Sequence, residues 1–90
     1  MRLGPRRSRP AEPRVTLYAK PGCHLCDDAR AVVERVCADL GVGWVEQSVL
    51  DDPVLLERYA EEIPVVLVDG RQHTFWRVDE SRLRAALGAR

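Results

Sequence analysis

Two cysteines, Cys23 and Cys26, are separated by two residues. Thiols at this spacing can take part in proton transfer, in electron transfer or in metal binding. A strand is predicted over 14–19, followed by a Lys20-Pro21-Gly22 turn and then by a helical pattern. Cys23 therefore lies where a strand passes into a helix. The first turn of a helix has free backbone N–H groups and a partial positive charge, and both favour a thiolate over a thiol.

This placement gives the two cysteines different predicted roles. Cys23, exposed at the helix start, attacks a disulfide, and Cys26, one turn further and more buried, resolves the mixed disulfide. His24 between them is either a solvated imidazole or a donor that stabilises the Cys23 thiolate. Asp27 and Asp28 stabilise the helix start but oppose a further negative charge, so the sign of the net effect stays open.

The elements that must position this pair follow from hydrophobic periodicity. A helix is predicted over 25–40, strands over 42–49, 63–68 and 71–78, a short helix from Pro53, and a last helix capped by Asp79. Asp69-Gly70 predicts a hairpin between the last two strands. The order β-α-β-α-β-β-α predicts an α/β fold with a mixed four-stranded sheet and helices on both faces.

Length and charge restrict the remaining classes. Ninety residues make one small domain, and 14 basic residues balance 14 acidic ones, so a general nucleic-acid or membrane-surface binder is not expected. Five arginines lie within the first 14 residues, and we expect 1–13 to be a disordered basic tail ahead of a domain over 14–90. No secretory signal or membrane span is evident. With three cysteines, an odd number, we expect a reducing, cytoplasmic location and a monomer.

The residues over 20–26, the helix behind them, and Ile63-Pro64 before an apolar strand resemble the glutaredoxin branch of the thioredoxin superfamily, in particular its short bacterial members. The resemblance covers about 14–88. It implies that Pro64 is cis and faces the cysteines, and that the backbone of Ile63 is free to pair with an extended peptide or glutathione. It also implies substrate contacts from Lys20, which would attract a glutathione carboxylate or stabilise the thiolate, and from Pro21, His24 and Asp79.

The chain departs from this family pattern after the fourth strand. Members that use glutathione carry a Gly-Gly pair there, whereas this chain has Phe75-Trp76-Arg77-Val78. Close approach of glutathione to the backbone is therefore not supported at this point. Asp79 keeps the helix-capping position, and Arg77 offers a charge instead.

The leading expectation is a thiol–disulfide oxidoreductase that reduces protein or low-molecular-weight disulfides. Its redox group is the Cys23–Cys26 disulfide, with no other cofactor, and glutathione, another thiol or a reductase protein supplies electrons. An iron–sulfur or metal-binding module using the same cysteines is the alternative, and a non-catalytic adaptor is the third. Zinc needs about four ligands, but Cys37 is expected to be buried in the helix and His73 is remote, so no metal ligand is predicted.

Overall fold

A computed structural model describes residues 13–88. The strands are β1 (Val15–Ala19), β2 (Trp44–Ser48), β3 (Val65–Val68) and β4 (Arg71–Phe75). The helices are α1 (His24–Leu40), α2 (Pro53–Tyr59) and α3 (Glu80–Ala86), and a single 3-10 turn, Val49–Asp51, precedes α2. The predicted tail over 1–13 lies, except for Pro13, outside the described residues. No helix within 13–88 is both long and apolar enough to cross a membrane.

The sheet has the strand order β2-β1-β3-β4. β1 runs parallel to β2 and antiparallel to β3, and β3 forms an antiparallel pair with β4. Asp69 and Gly70 join these last strands with φ angles of 54° and 84°, as a two-residue hairpin turn requires. The predicted mixed four-stranded sheet and its hairpin are confirmed.

Side chains along β1 point alternately to the two faces of the sheet, and helices pack on both faces. Val15, Leu17 and Ala19 are buried, while Tyr18 points to the opposite face. The Tyr18 ring stacks on Tyr59 of α2 at a centroid distance of 5.2 Å, so α2 covers that face. α1 and α3 pack against one another and bury the face that carries Leu17, where Val33, Val36 and Leu83 are fully buried.

The boundaries of three predicted strands were wrong by two residues or more. β2 covers Trp44–Ser48 instead of 42–49. β3 begins at Val65, so Ile63 and Pro64 precede the strand instead of opening it. Pro64 has no N–H to give to a ladder. β4 ends at Phe75 because Trp76 has a φ of 66°, in the left-handed region, where extended backbone cannot continue.

The sequence pattern predicts that Val54, Leu56 and Ala86 lie on the apolar faces of the last two helices, but all three are on the surface. Val54 is 69% and Leu56 39% exposed, and Ala86 is also exposed. Both α2 and α3 have seven residues, so each turns fewer side chains toward the sheet than the sequence pattern suggests.

Candidate redox site

Cys23 is the residue that caps the N-terminus of α1. Its backbone is extended, and its Sγ accepts a hydrogen bond from the backbone N–H of Cys26 at 3.1 Å. Asp, Asn, Ser and Thr usually fill this position with an oxygen acceptor. Here the Cys23 sulfur accepts a hydrogen bond from a free N–H of the first turn. This sulfur therefore lies at the positive end of a 17-residue helix.

The two cysteine sulfurs lie at disulfide distance, with their Cα atoms 5.1 Å apart, inside the range that a disulfide spans. Cys26 has no exposed surface, whereas Cys23 is half-buried. The predicted difference in exposure is therefore present. Gly22 precedes the pair with a φ of 72°, a conformation that glycine adopts without steric cost.

Lys20, Pro21 and His24 are all exposed around this pair. Lys20 and Pro21 line a cleft of about 230 Å³ together with Arg30 and Glu46. His24 is the first residue of α1. The structure thus places Lys20 and Pro21 beside one cleft and His24 at the helix start.

Arg30 organises the charges at the beginning of α1. Its guanidinium donates two hydrogen bonds of 2.7 Å to the carboxylate of Glu46 and one of 2.8 Å to Asp27. The hydrogen bond from Arg30 lowers the pKa of Glu46 below its ordinary value. Asp27, the acid of the first turn, is therefore paired with a cation, which reduces the repulsion between its carboxylate and a Cys23 thiolate. The i, i+3 spacing of Asp27 and Arg30 is visible in the sequence, but the strand partner Glu46 is not.

The peptide bond between Ile63 and Pro64 is cis, which confirms the isomer implied by the family resemblance. Both residues are buried, and Ile63 belongs to the same apolar cluster as Cys26, with Cys23 packed against it. Within residues 13–88, the backbone of Ile63 takes part in none of the hydrogen bonds made by the surrounding loop.

Asp79 caps α3. Its Oδ1 accepts a hydrogen bond from the backbone N–H of Arg82 at 3.0 Å, so the structure assigns this carboxylate a structural partner. Arg77 is exposed and lines a second cleft, of about 80 Å³, with Leu25 from between the two cysteines.

Trp76 lies beside the site, and sequence reasoning missed it because the residue was assigned to a continuous strand. Its backbone N–H donates to the carbonyl of Pro64 at 2.8 Å, and its indole N–H donates to the carbonyl of Glu61 at 2.9 Å. It also lines the cleft that contains Leu25. An aromatic pair at a strand end was visible in the sequence, but nothing there indicated a left-handed tryptophan.

Cys37 is buried on α1, with 1% of its surface exposed, and burial raises the pKa of its thiol. His73 lies on β4, where burial lowers the pKa of its imidazole. Among residues 13–88 no group of three or more histidine, cysteine or acidic side chains is close enough to hold a metal ion.

The sequence of the chain matches the model of the glutaredoxin-like domain family (DUF836) over residues 14–88. An uncharacterized protein of Mycobacterium tuberculosis is 34% identical over 80 residues, which cover 83% of this chain and 82% of that protein.

Solved structures agree with this match. The X-ray structure of protein XcR50 from X. campestris has a TM-score of 0.68 and 34% identity, over 81% of this chain and 93% of that one. The glutaredoxin grx-1 of Archaeoglobus fulgidus has a TM-score of 0.61 over 87% of this chain and 89% of that one; at 15% identity it supports the fold alone. With the fold, the cysteine pair and the sequence match in agreement, the chain belongs to the glutaredoxin-like family of the thioredoxin superfamily.

Proposed function

We propose that this protein is a thiol–disulfide oxidoreductase that reduces disulfides of polypeptides or small thiols through Cys23 and Cys26. The observation that carries the proposal is the cysteine pair at disulfide distance on the N-terminus of α1, with Cys23 half-buried and Cys26 fully buried. A solvent-reachable thiolate beside a protected thiol is what a dithiol exchange reaction needs.

The reaction proceeds in two exchanges that transfer two electrons. The Cys23 thiolate attacks one sulfur of the substrate disulfide, forms a mixed disulfide and releases the first substrate thiolate. Cys26 then loses its proton, attacks the Cys23 sulfur and releases the second substrate thiolate, which leaves the Cys23–Cys26 disulfide. The released thiolates take up protons from solvent.

Chain groups around the pair support each step. The N–H of Cys26 donates to the Cys23 sulfur, and a hydrogen bond to a charged acceptor contributes about 1.5–3 kcal/mol. Arg30 pairs with Asp27 and so reduces the repulsion that this carboxylate exerts on the thiolate. The backbone of Ile63 offers an extended substrate segment its N–H and C=O, because neither is used by the surrounding loop of the described chain.

A thiol or a reductase protein restores the reduced pair by the reverse exchange. We propose glutathione or another low-molecular-weight thiol as the small donor, with Lys20 available to attract its carboxylate into the cleft that Lys20 and Pro21 line. We further propose that the protein acts in the cytoplasm as a monomer, through the domain over 14–90, with Pro21, His24 and Pro64 bordering the substrate.

Single-turnover reduction tests the proposal. Protein reduced with dithiothreitol and then desalted is mixed anaerobically with a disulfide, and the thiols released are measured. Wild type should release two thiols per molecule and Cys23→Ser none. Cys26→Ser should release one thiol and remain as a mixed disulfide detected by mass. Cys37→Ala is the matched control and should behave as wild type. Full thiol release by Cys23→Ser would contradict the proposal.

A further inference from the structure

Trp76 donates hydrogen bonds to three backbone carbonyl groups of the loop that precedes β3. The backbone N–H of Trp76 lies 2.8 Å from the carbonyl of Pro64 and 3.3 Å from that of Glu62, and the indole N–H lies 2.9 Å from the carbonyl of Glu61. The loop that carries Ile63 and Pro64 is thus fastened to the end of β4 on both sides of Ile63.

The backbone conformation of Trp76 is unusual for a bulky side chain. Its φ of 66° is in the left-handed region, which residues other than glycine, asparagine and aspartate rarely occupy. Such residues persist where the surrounding structure holds them, and they concentrate at sites that bind ligands. The position would suit glycine without strain, so the tryptophan side chain itself needs an explanation.

The Trp76 ring is also exposed. Trp76 is 52% and Phe75 44% exposed, and the two rings meet edge to face at a centroid distance of 4.9 Å. Trp76 borders the cleft of about 80 Å³ that Leu25 lines, and the Phe75 ring packs against Trp76. Tryptophan and phenylalanine supply large apolar contact area with few rotatable bonds, as residues that anchor protein interfaces do.

Charges on this side of the site do not favour a small acidic thiol. Asp28 and Arg77 bring one charge of each sign to the cleft. The cleft, as residues 13–88 form it, therefore offers no surplus of cations to the two carboxylates of glutathione. An apolar side chain of a polypeptide would instead cover the two rings.

We propose that Trp76 is a positioning and specificity-determining residue that favours extended polypeptide disulfides over small-thiol disulfides at the Cys23 site. This inference rests on the proposed disulfide reduction. Trp76 fixes the loop so that the backbone of Ile63 meets an extended chain as an added strand would, and the Phe75–Trp76 pair receives an apolar side chain next to the substrate cysteine. The side chain lies in the region after the fourth strand where, by the family resemblance, members that use glutathione carry a Gly-Gly pair.

Single-turnover kinetics with two substrates tests this inference. One substrate is a synthetic peptide whose disulfide is flanked by leucines, and the other is oxidised glutathione. Trp76→Gly should lower the apparent second-order rate constant for reduction of the peptide, relative to that for oxidised glutathione, by about tenfold, mainly through a higher half-saturating peptide concentration, as loss of an interface anchor does. Trp76→Phe should recover part of this ratio because it keeps a ring and loses the indole N–H.

Two further variants keep the test independent of folding. Phe75→Ala leaves all three carbonyl contacts of Trp76 in place and should lower the same ratio by about threefold, since only part of the apolar contact area is lost. Trp44→Phe, on the opposite edge strand β2, is the matched control and should leave the ratio at the wild-type value.

The outcomes separate this inference from the proposed function. If wild type reduces neither substrate, the proposed function is wrong. If wild type reduces both and the Trp76 and Phe75 variants leave the ratio unchanged, or lower both rates equally, Trp76 does not determine specificity. A ratio that falls in both variants and not in Trp44→Phe supports it.

Discussion

Replacing Asp79 separates two roles that the same carboxylate could have, capping of α3 and contact with a substrate. Its Oδ1 accepts the N–H of Arg82 at 3.0 Å, while its carbonyl accepts the N–H of Leu83 at 3.0 Å. The second bond survives any side-chain change. Asp79→Ala therefore removes one capping hydrogen bond and one negative charge near the helix N-terminus, and Asp79→Ser removes the charge alone.

The expected cost follows from the cap. Loss of an N-cap side chain destabilises by about 1 kcal/mol, within a range of about 0.5–2 kcal/mol. α3 has seven residues and is not stable as an isolated helix. Loss of the cap therefore weakens the packing of α3 through Leu83. For a domain of this size the melting temperature should fall by about 4–8 °C for each kcal/mol. Asp79→Ser should restore it to within about 2 °C, since serine and aspartate are similar caps.

The assay combines urea unfolding with single-turnover disulfide reduction, both measured on the same protein preparations. Asp52→Ala is the matched control, because Asp52 caps α2 through the N–H of Val54 at 2.9 Å. Both alanine variants should lose similar stability, and all three variants should reduce disulfides at the wild-type rate. A stable Asp79→Ser variant that reduces substrate tenfold more slowly would show that the charge contacts substrate and refute a purely structural role for Asp79.

Two other predictions concern thiol access and acid stability. Iodoacetamide should label Cys23 in the reduced native protein, while the buried Cys26 and Cys37 react after denaturation; peptide mass mapping distinguishes the sites, and equal labelling of all three would contradict the buried geometry. Glu80 accepts hydrogen bonds from Arg35, which has the larger effect, and from Arg84, and these hydrogen bonds lower the pKa of Glu80 from 4.5 to about 2. Its stabilisation is therefore complete above pH 4.5 and is lost as the pH falls toward 2. Glu80→Gln should be less stable than wild type to urea at pH 7 and equal to it near pH 2, and an unchanged difference across this range would count against the pairing.

Element types were predictable because local signals agree along most of the chain. The Asp69-Gly70 turn predicts the hairpin, and the apolar run over 63–68 predicts the buried strand, which the structure confines to Val65–Val68. Gly41, with a φ of 68°, ends α1 where the periodic pattern ends. The errors lie where tertiary contacts decide the backbone. Trp76 leaves the extended conformation although the sequence through 78 remains compatible with a strand.

The candidate site was predictable in its chemistry and less so in its surroundings. The spacing of Cys23 and Cys26 and the turn before them place a cysteine at a helix start. Neither the pairing of Arg30 with Glu46 nor the contacts of Trp76 with Glu61 could be inferred, because each joins residues of different elements. The family resemblance indicated the cis bond before Pro64, which no local pattern favours strongly.

By itself the sequence determined the order of elements, the cysteine pair and its position at the beginning of α1, because these depend on spacing and on turn residues along the chain. Only the tertiary structure decided which groups meet that pair. Sheet order brings β3 between β1 and β4, and this places the loop at Ile63 within reach of Trp76. Contacts between residues distant in sequence depend on packing of whole elements, which periodicity does not encode.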